Sequence, residues 1–290
     1  MIIVDMNQVM ISNFMAAVGN HTNIKIEEDL LRHMVLNSIR AYNHRFRAEY
    51  GEMVIACDDK RSWRKAIFPY YKANRKKDRD KSEIDWNAVF EVLEKVKDEL
   101  RENFPYRVIQ VETAEADDVI GTICKAKGAY LGDGECKILI ISGDKDFKQL
   151  QKYTNVRQFD PVRKRWLTET RPDLFLKEHI MRGDRGDGVP NFLSAGDVFV
   201  GNGRQKPLMQ KKLDQWLKQE RHEIADTADL ERYYARNEVM IDLDFIPQDV
   251  QDKIMESFEA QADRPKDRSK LFNYFIKMNL KHLMTDISQF

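Results

Sequence analysis

Four short, mostly apolar segments of the sequence alternate with amphipathic segments of helical period. The apolar segments are residues 2–4, 53–57, 107–111 and 137–142. Strands of this kind that alternate with helices are typical of a parallel sheet covered on both faces. The pattern therefore predicts an α/β fold with a mostly parallel central sheet flanked by helices. Apolar residues at helical spacing place the intervening helices at residues 27–48, 86–100 and 116–127.

Acidic residues follow three of these predicted strands. Asp5 comes directly after the first strand, Asp58 after the second and Asp144 after the fourth. In open α/β sheets, functional groups collect beyond the carboxyl ends of the strands. Two carboxylates about 4 Å apart repel each other by roughly 4 kcal/mol at an effective dielectric constant of about 20, so a cluster of them needs protons or cations. Because oxygen ligands suit Mg²⁺ or Mn²⁺, the pattern predicts a metal-dependent phosphoryl-transfer site.

The phrases AEADD, ISGDKDF and GDRGDGVPN add further acids to this candidate site. Any single acid of this kind could equally begin a helix or form a turn. The recurrence of acids beyond three strand ends favours a shared site. The histidines show no metal-binding spacing and are predicted to be surface or hydrogen-bonded residues. The cysteines show no disulfide or zinc spacing, and GNGRQK at 201–206 lacks the spacing of a phosphate loop.

Residues 60–81 combine basic and aromatic side chains. Ten of these residues are Lys or Arg and two are Asp, although the whole chain balances 48 basic against 48 acidic residues. Basic side chains neutralise phosphates, and aromatic rings can stack on unpaired bases. The segment predicts a nucleic-acid contact next to Asp58, and the alternative is a solvated basic loop whose aromatics anchor it to the core. The interleaved aromatics are Trp63, Phe68, Tyr70 and Tyr71.

The composition changes after about residue 182. Gly and Asp are frequent in residues 183–203, and helices without clear strands are expected from there onward. Residues 208–217 and 271–284 are amphipathic. We therefore expect two regions, 1–182 and 183–290.

The ordered motifs VDMNQ, ACDD, FPYYKANR, AEADD, ISGDKDF and GDRGDGVPN resemble those of the flap endonucleases and 5′→3′ exonucleases. The similarity extends over nearly the whole chain and is greatest to the phage-type ribonuclease H branch. It implies a PIN-like 5′-nuclease core with a basic arch at about 60–85. It also implies a helical, DNA-binding C-terminal region with a helix–three-turn–helix, or helix–hairpin–helix-like, motif. The stretch after GDGVPN departs from the usual hairpin of the family, which puts duplex affinity in doubt more than catalysis.

The resemblance also implies residue roles. Two Mg²⁺ ions would be bound, with Mn²⁺ able to substitute, and a monovalent-cation site near 183–203 is left open. Asp144 and Asp146 would be catalytic, Lys72 and Arg75 would hold the scissile phosphate, and Tyr71 would stack on a displaced base. The first metal site would comprise Asp5, Asp58, Glu115, Asp117, Asp118 and Asp144, and the second Asp146, Asp184 and Asp187, some through water. The other implied nucleic-acid contacts are Arg64, Lys76, Lys206, Lys211 and Lys212.

The function implied is a Mg²⁺-dependent 5′-nuclease with ribonuclease H activity, acting near 5′ ends or flaps of RNA·DNA and DNA·DNA duplexes. It would remove RNA primers from lagging-strand fragments during phage replication. We expect a monomer without membrane association in the host cytoplasm, recruited by a sliding clamp or a single-strand DNA-binding protein. Two alternatives stay open, a DNA-binding protein without catalysis and a single-strand RNA nuclease. The intact acids argue against the first, and the segments 60–81 and 183–192 argue against the second.

Overall fold

The structure is a computed structural model. The side chains of Ala17, Lys76, Lys77 and Asp78 lie outside the described part, and with them the predicted nucleic-acid contact of Lys76. The described residues are 1–18, 27–79, 82, 84–128, 136–201, 203–264 and 267–290.

The described residues form a six-stranded sheet with the strand order β3-β2-β1-β4-β5-β6. The first five strands are parallel, and β6 pairs antiparallel with β5. The strands are β1 (Ile2–Asp5), β2 (Met53–Ala56), β3 (Arg107–Ile109), β4 (Ile138–Ile141), β5 (Val156–Asp160) and β6 (Arg165–Leu167).

The helices lie on both faces of this sheet. The helices between the strands are α1 (Met6–Val18), α2 (Glu28–Tyr50), α3 (Arg64–Ile67), α4 (Ala73–Arg79), α5 (Trp86–Asn103) and α6 (Ala116–Gly128). The later helices are α7 (Pro172–Arg182), α8 (Gln210–Trp216), α9 (Arg221–Ile224), α10 (Ala228–Ile241), α11 (Gln248–Ala260), α12 (Arg268–Lys277) and α13 (Lys281–Met284). Short 3-10 segments occur at Lys145–Lys152, Leu243–Phe245 and Ile287–Gln289.

The sheet separates two hydrophobic cores, because successive residues of a strand point to opposite faces. Ile3 contributes to the core formed with α6, α10 and α11, whereas Ile2 and Val4 contribute to the core formed with α1, α2, α5 and α12. The four predicted strands are confirmed, with slightly different ends, and so are the mostly parallel sheet and the helical C-terminal region.

The sequence did not predict β5, β6 or α1 as elements. The predicted helix at 271–284 is divided into α12 and α13, and Asn279 between them has a positive φ of 53°. The free cysteines Cys57 and Cys124 are buried and Cys136 is partly exposed. Among the helices that the structure describes, none is long and apolar enough to cross a membrane.

Candidate metal centre and nucleic-acid interface

The connection order of the strands places a crevice beside the carboxyl end of β1. From β1 the chain continues to β2 and β3 on one side, and it later returns to β4 on the other side. A reversal of this kind is where α/β sheets place their ligand sites. Asp5 ends β1, Asp58 follows β2, and Asp144 follows β4. The prediction that these acids share one edge of the sheet agrees with this topology.

Ser142 links the acids that follow β1 and β4. Its hydroxyl donates to Oδ2 of Asp5 at 3.0 Å and accepts from the amide of Asp144 at 3.1 Å. The amide of Gln8 donates to the second oxygen of Asp5 at 3.1 Å, and the Gln8 side chain accepts from the amide of Gly143 at 2.5 Å. The loop after β4 is therefore tied to the start of α1, which fixes the spacing of the two carboxylates.

Asp58 is held between α1 and α6. One of its oxygens accepts from the side-chain amide of Asn7, and the other accepts from the backbone amide of Ala116 at 2.6 Å. Gln110 donates to the carbonyl oxygen of Asp58 at 3.1 Å. Asp117 lies in the first turn of α6, where a negative charge is favoured by the helix dipole.

The pKa values of these acids reflect burial and mutual repulsion. Burial and the charges on Asp58 and Asp144 raise the pKa of Asp5 to about 7. Burial and the neighbouring Asp146 raise the pKa of Asp144 to about 6. Burial and Asp144 raise the pKa of Asp117 well above its ordinary value, and burial also raises the pKa of Asp58. These shifts arise because several carboxylates share one poorly solvated site.

A second group of ligand-type atoms lies beside this cluster. Nε2 of His179, on α7, lies 2.8 Å from Oδ1 of Asp146 and 3.7 Å from Oδ2 of Asp184. The three ligand atoms all lie within 4.8 Å of one another. Lys145 also contacts Asp184, with Nζ at 2.8 Å from Oδ2, and it lowers the pKa of Asp184 against the effect of burial. The structure thus brings Asp146 and Asp184 together, as predicted, and adds a histidine.

Glu115 lies among basic and hydroxyl groups of the 60–81 segment. Its oxygens contact Nζ of Lys72 at 2.6 Å, the hydroxyl of Tyr71 at 2.8 Å and Nη1 of Arg64 at 3.1 Å. Burial alone would raise the pKa of Glu115, but the positive charges of Lys72 and Arg64 lower this pKa to about 2. Glu115 is therefore ionised and neutralised within the protein.

Residues 70–75 are joined to residues 185–188 by contacts that we call the arch–loop contact. The backbone amide of Lys72 donates to the carbonyl oxygen of Asp187 at 2.7 Å. The Asn74 side chain donates to the carbonyl oxygen of Arg185 at 2.9 Å. The Arg75 side chain donates to the carbonyl oxygen of Gly186 at 3.1 Å. The Arg75 guanidinium also pairs with one oxygen of the Asp187 carboxylate. The other oxygen accepts from the hydroxyl of Tyr71 at 3.1 Å. Burial raises the pKa of Asp187 despite these basic neighbours.

Two predicted nucleic-acid contacts need correction. Arg64 is only 2% exposed, and it pairs with Asp118 at 2.8 Å as well as with Glu115. Tyr71 is also 2% exposed, with its ring in the hydrophobic core and its hydroxyl on Glu115. Neither side chain is accessible to a phosphate or a base in this conformation. Trp63 and Phe68 are buried too, whereas Tyr70 is 40% exposed. Three of the four aromatics therefore anchor the segment to the core, as the alternative interpretation of the sequence expects.

The predicted metal-ligand role of Asp118 also needs correction. Its carboxylate is fully buried and contacts Arg64, Nε1 of Trp63 at 3.0 Å and the amide of Glu115 at 2.8 Å. These donors belong to the protein interior, because burying a carboxylate requires such partners. The geometry makes Asp118 a residue that positions the basic segment.

The predicted contacts in the C-terminal region are exposed. Lys206, Lys211 and Lys212 all lie at the surface on or just before α8. The loop that leads to α8 is held by Asn191, which donates from its side chain to the carbonyl oxygen of Lys206 at 2.9 Å. Ser194 accepts from the amide of Lys206 at 2.9 Å. These bonds hold the backbone of Lys206, whereas Lys211 and Lys212 are presented by α8.

The donor set is compatible with divalent ions. Asp5, Asp58, Asp117 and Asp144 supply carboxylate oxygens, which are the ligands of Mg²⁺ and Mn²⁺. Their raised pKa values show that protein donors alone do not stabilise their full ionisation. Asp146 and Asp184 supply further oxygens beside the imidazole.

Several residues of this region were not selected from the sequence as site residues. Asn7 and Gln8 belong to the VDMNQ motif, so the sequence contained the information needed to include them. Ser142 and Lys145 flank Asp144 in ISGDKDF. His179 could not be identified from the sequence, because its contact with Asp146 joins residues that are 33 positions apart.

Comparisons with known proteins agree with this architecture. Residues 1–179 match the family described as "5′-3′ exonuclease, N-terminal resolvase-like domain", and residues 171–290 match "T4 RNase H, C terminal". The chain is 32% identical to Ribonuclease H of Enterobacteria phage T4 in an alignment of 297 positions, gaps included, that covers 99% of this chain and 95% of that protein. It is 30% identical to Flap endonuclease Xni of Shewanella sp. (strain ANA-3) over 150 residues, 48% of this chain and 51% of that protein.

Solved phage T5 structures share the fold. The T5 5′-exonuclease with bound divalent zinc ions has a TM-score of 0.61 at 19% identity, over 90% of this chain and 99% of that one. A T5 flap endonuclease in a pseudo-enzyme–product complex with DNA and metal ions has a TM-score of 0.60 at 19% identity, over 90% of this chain and 98% of that one.

Proposed function

Because the chain belongs to the 5′-3′ exonuclease family, in the branch of T4 ribonuclease H, we propose that it hydrolyses phosphodiesters near the 5′ ends of RNA·DNA and DNA·DNA duplexes. The chain is a nuclease, as are its relatives. We assign it both 5′→3′ exonuclease and flap-cutting activity, with Mg²⁺ as the cofactor. The observation that supports this most strongly is the set of buried and partly buried carboxylates with raised pKa values at the sheet crevice.

We assign two divalent ions to this crevice. Asp5, Asp58, Asp117 and Asp144 would hold the first, and Asp146 with Asp184 would hold the second beside Asp187. Glu115, which the resemblance also assigns to the first ion, pairs with Lys72 and Arg64, so we propose that it borders this ion without binding it directly. When bound, such ions would activate a water and neutralise charge on the phosphate. Mn²⁺ would substitute, because it takes the same oxygen ligands. The protein positions the carboxylates through hydrogen bonds from Ser142, Gln8 and Asn7.

Lys72 and Arg75 are assigned to the scissile phosphate. The Lys72 side chain is 16% exposed and that of Arg75 is 48% exposed, and both border the carboxylates. Burial alone would lower the pKa of Lys72, but the carboxylates of Asp187 and Glu115 raise this pKa. The ammonium group of Lys72 therefore stays charged. A fixed positive charge at this position would stabilise negative charge that develops on the phosphate.

The duplex would be held by the region after α7. The exposed Lys206, Lys211 and Lys212 would contact its backbone, which gives affinity without base-sequence specificity. We place the boundary between the nuclease core and this region at about residues 182 and 183. A monovalent cation near 183–203 belongs to the same proposal, and a K⁺-dependent gain in duplex affinity would support it.

The biological role that we propose is removal of RNA primers from lagging-strand fragments during phage DNA replication. The protein would act as a monomer in the host cytoplasm, with a sliding clamp or single-strand DNA-binding protein as recruiting partner. These statements rest on membership of the T4 ribonuclease H branch. Reconstituted primer removal, with each partner added in turn, would test them.

The first experiment measures cleavage of a 5′-labelled RNA·DNA hybrid and a 5′-flap DNA, with Mg²⁺ or with EDTA. Asp144→Asn is assayed beside the wild type and should retain duplex binding while losing nearly all cleavage. Asp226→Asn, an exposed acid outside the crevice, serves as the matched control. Metal-dependent release of short 5′ products that Asp144→Asn abolishes is the expected result. Binding without cleavage under every condition would favour a DNA-binding protein, and the metal assignments would be withdrawn.

A further inference from the structure

His179 is a buried imidazole that faces two acids of the candidate metal centre. We propose that its Nε2 atom is a direct ligand of a divalent ion shared with Asp146 and Asp184, and that this nitrogen gives the site a preference for Mn²⁺ over Mg²⁺. The inference rests on the proposed function, because it specifies the composition of one of its two metal sites.

The spacing of the three ligand atoms fits a single ion. Two neighbouring ligands of an octahedral ion at about 2.1 Å lie roughly 3.0 Å apart, and two opposite ligands lie roughly 4.2 Å apart. Nε2 of His179 lies 2.8 Å from Asp146 and 3.7 Å from Asp184. All three atoms fall within 4.8 Å of one another. Only small side-chain shifts would be needed to place them around one cation.

The imidazole is held where a ligand would be needed. His179 is 5% exposed and lies in the last turns of α7, with the Phe175 ring 5.8 Å from it. The end of α7 is fixed by Asn237, which donates to the carbonyl oxygens of Ile180 at 2.7 Å and Pro190 at 2.8 Å. Because the backbone and ring are both constrained, little conformational entropy would be lost when Nε2 binds an ion.

The group that competes for this position is easily displaced. Lys145 contacts the same Asp184 oxygen, but its side chain is 52% exposed. A lysine whose side chain is half exposed can turn into solvent, where water hydrates its ammonium group. The imidazole cannot leave in the same way, so it would stay in the coordination sphere.

The nitrogen donor determines the metal preference. Mg²⁺ prefers oxygen ligands and retains several waters, whereas imidazole is a suitable ligand for the later divalent ions. Replacing one oxygen ligand by imidazole should therefore favour Mn²⁺ over Mg²⁺ at this site. A histidine that only oriented Asp146 through a hydrogen bond would produce no such selectivity.

The test is pulsed electron paramagnetic resonance of the Mn²⁺-loaded full-length protein. A directly bound imidazole gives a nitrogen modulation in the Mn²⁺ signal, and growth with ¹⁵N-histidine should change its frequency. The wild type alone can answer this question, so the result does not depend on whether a variant folds. Absence of any histidine nitrogen coupling would overturn the proposal.

Two variants assign the nitrogen and measure the preference. His179→Gln should lose the modulation and bind Mn²⁺ at least about 10-fold more weakly, because a direct ligand should contribute no less than an outer-shell partner, with a change of less than about threefold for Mg²⁺. His222→Gln, an exposed histidine on α9, should behave as the wild type. Equal losses of Mn²⁺ and Mg²⁺ affinity in His179→Gln would contradict the proposal and make His179 a positioning residue. Cleavage by the wild type is assayed separately, so a nitrogen-coupled ion in a protein without nuclease activity would refute the proposed function alone.

Discussion

Asp5→Asn should stabilise the metal-free protein above neutral pH. Asp5 lies between Asp58 and Asp144, and burial with these charges raises its pKa from 3.8 to about 7. Asparagine keeps the bond from the amide of Gln8 through its oxygen, and its side-chain amide can donate to the Ser142 hydroxyl in place of the bond that this hydroxyl donates to Asp5. The substitution therefore removes a charge that the folded protein disfavours and preserves the local packing.

The magnitude follows from the pKa difference. A shift of about 3 units corresponds to roughly 4 kcal/mol between the two protonation states. Between about pH 4 and pH 7 the folded protein keeps the proton of Asp5 and the unfolded chain has lost it. The stability of the wild type therefore falls as pH rises through this interval, and the full loss is present above about pH 7. Asparagine does not titrate, so the variant should avoid this loss.

The assay is thermal unfolding followed by circular dichroism in EDTA, at about pH 4 and at about pH 8. At about pH 8, Asp5→Asn should melt roughly 4–8 °C above the wild type, since about 2 °C corresponds to 1 kcal/mol in a protein of this size. At about pH 4 the difference should nearly vanish. Mg²⁺ should raise the melting temperature of the wild type at pH 8 much more than that of the variant, because a ligand stabilises the state that binds it.

Asp226→Asn, which removes an exposed charge, should change the melting temperature little at either pH. If Asp5→Asn is no more stable than the wild type at pH 8 in EDTA, the account of crowded, poorly solvated carboxylates fails. A stabilisation of the same size at both pH values would also contradict it, because the effect would then not arise from ionisation.

Three further predictions concern the basic residues. Arg64→Met should lower the free energy of unfolding by about 3–5 kcal/mol, because it leaves the fully buried Asp118 without its cation and removes one of the two cations that contact Glu115; urea unfolding that shows a loss below about 1 kcal/mol would contradict this. Lys72→Ala should slow single-turnover cleavage by about 100-fold or more and change duplex affinity, measured by fluorescence anisotropy, by only a few-fold; equal losses would make it a general binding charge. The double variant Lys211→Ala with Lys212→Ala should reduce the slope of log K for duplex binding against log salt concentration by up to about 1.8, because each phosphate contact contributes about 0.9. An unchanged slope would place the duplex contact elsewhere.

The strands that could be predicted from the sequence are those buried on both faces. Residues 2–4 and 138–141 are apolar and fully buried, so composition alone identifies them. The strand Val156–Asp160 contains the fully buried Gln158, whose side chain donates to the carbonyl oxygens of Ser142 and Asp144 at 2.9 and 2.6 Å. These partners lie in the loop after the neighbouring strand β4, and no local pattern reveals them.

The same limit applies to the site. Asp5 and Asp144 could be expected at one edge because parallel strands bring their carboxyl ends together. The burial of Arg64 depends on its pairing with Glu115 and Asp118, which follow about fifty residues later in the chain. Side-chain chemistry correctly identified a basic, aromatic segment, but only the tertiary contacts show which of its members face inward.

The arch–loop contact has a consequence for how this protein can vary. Lys72, Asn74 and Arg75 donate to the carbonyl oxygens of three consecutive residues, 185–187. Carbonyl oxygens are present whatever side chain occupies a position, so replacement of Arg185 leaves these acceptors in place. An inserted or deleted residue would instead shift every acceptor by one position and withdraw Lys72 from Glu115. At Arg185, where the backbone alone accepts the bond, segment length is therefore under stronger constraint than side-chain identity. Asp187 is constrained in both respects, because its carboxylate also pairs with Arg75.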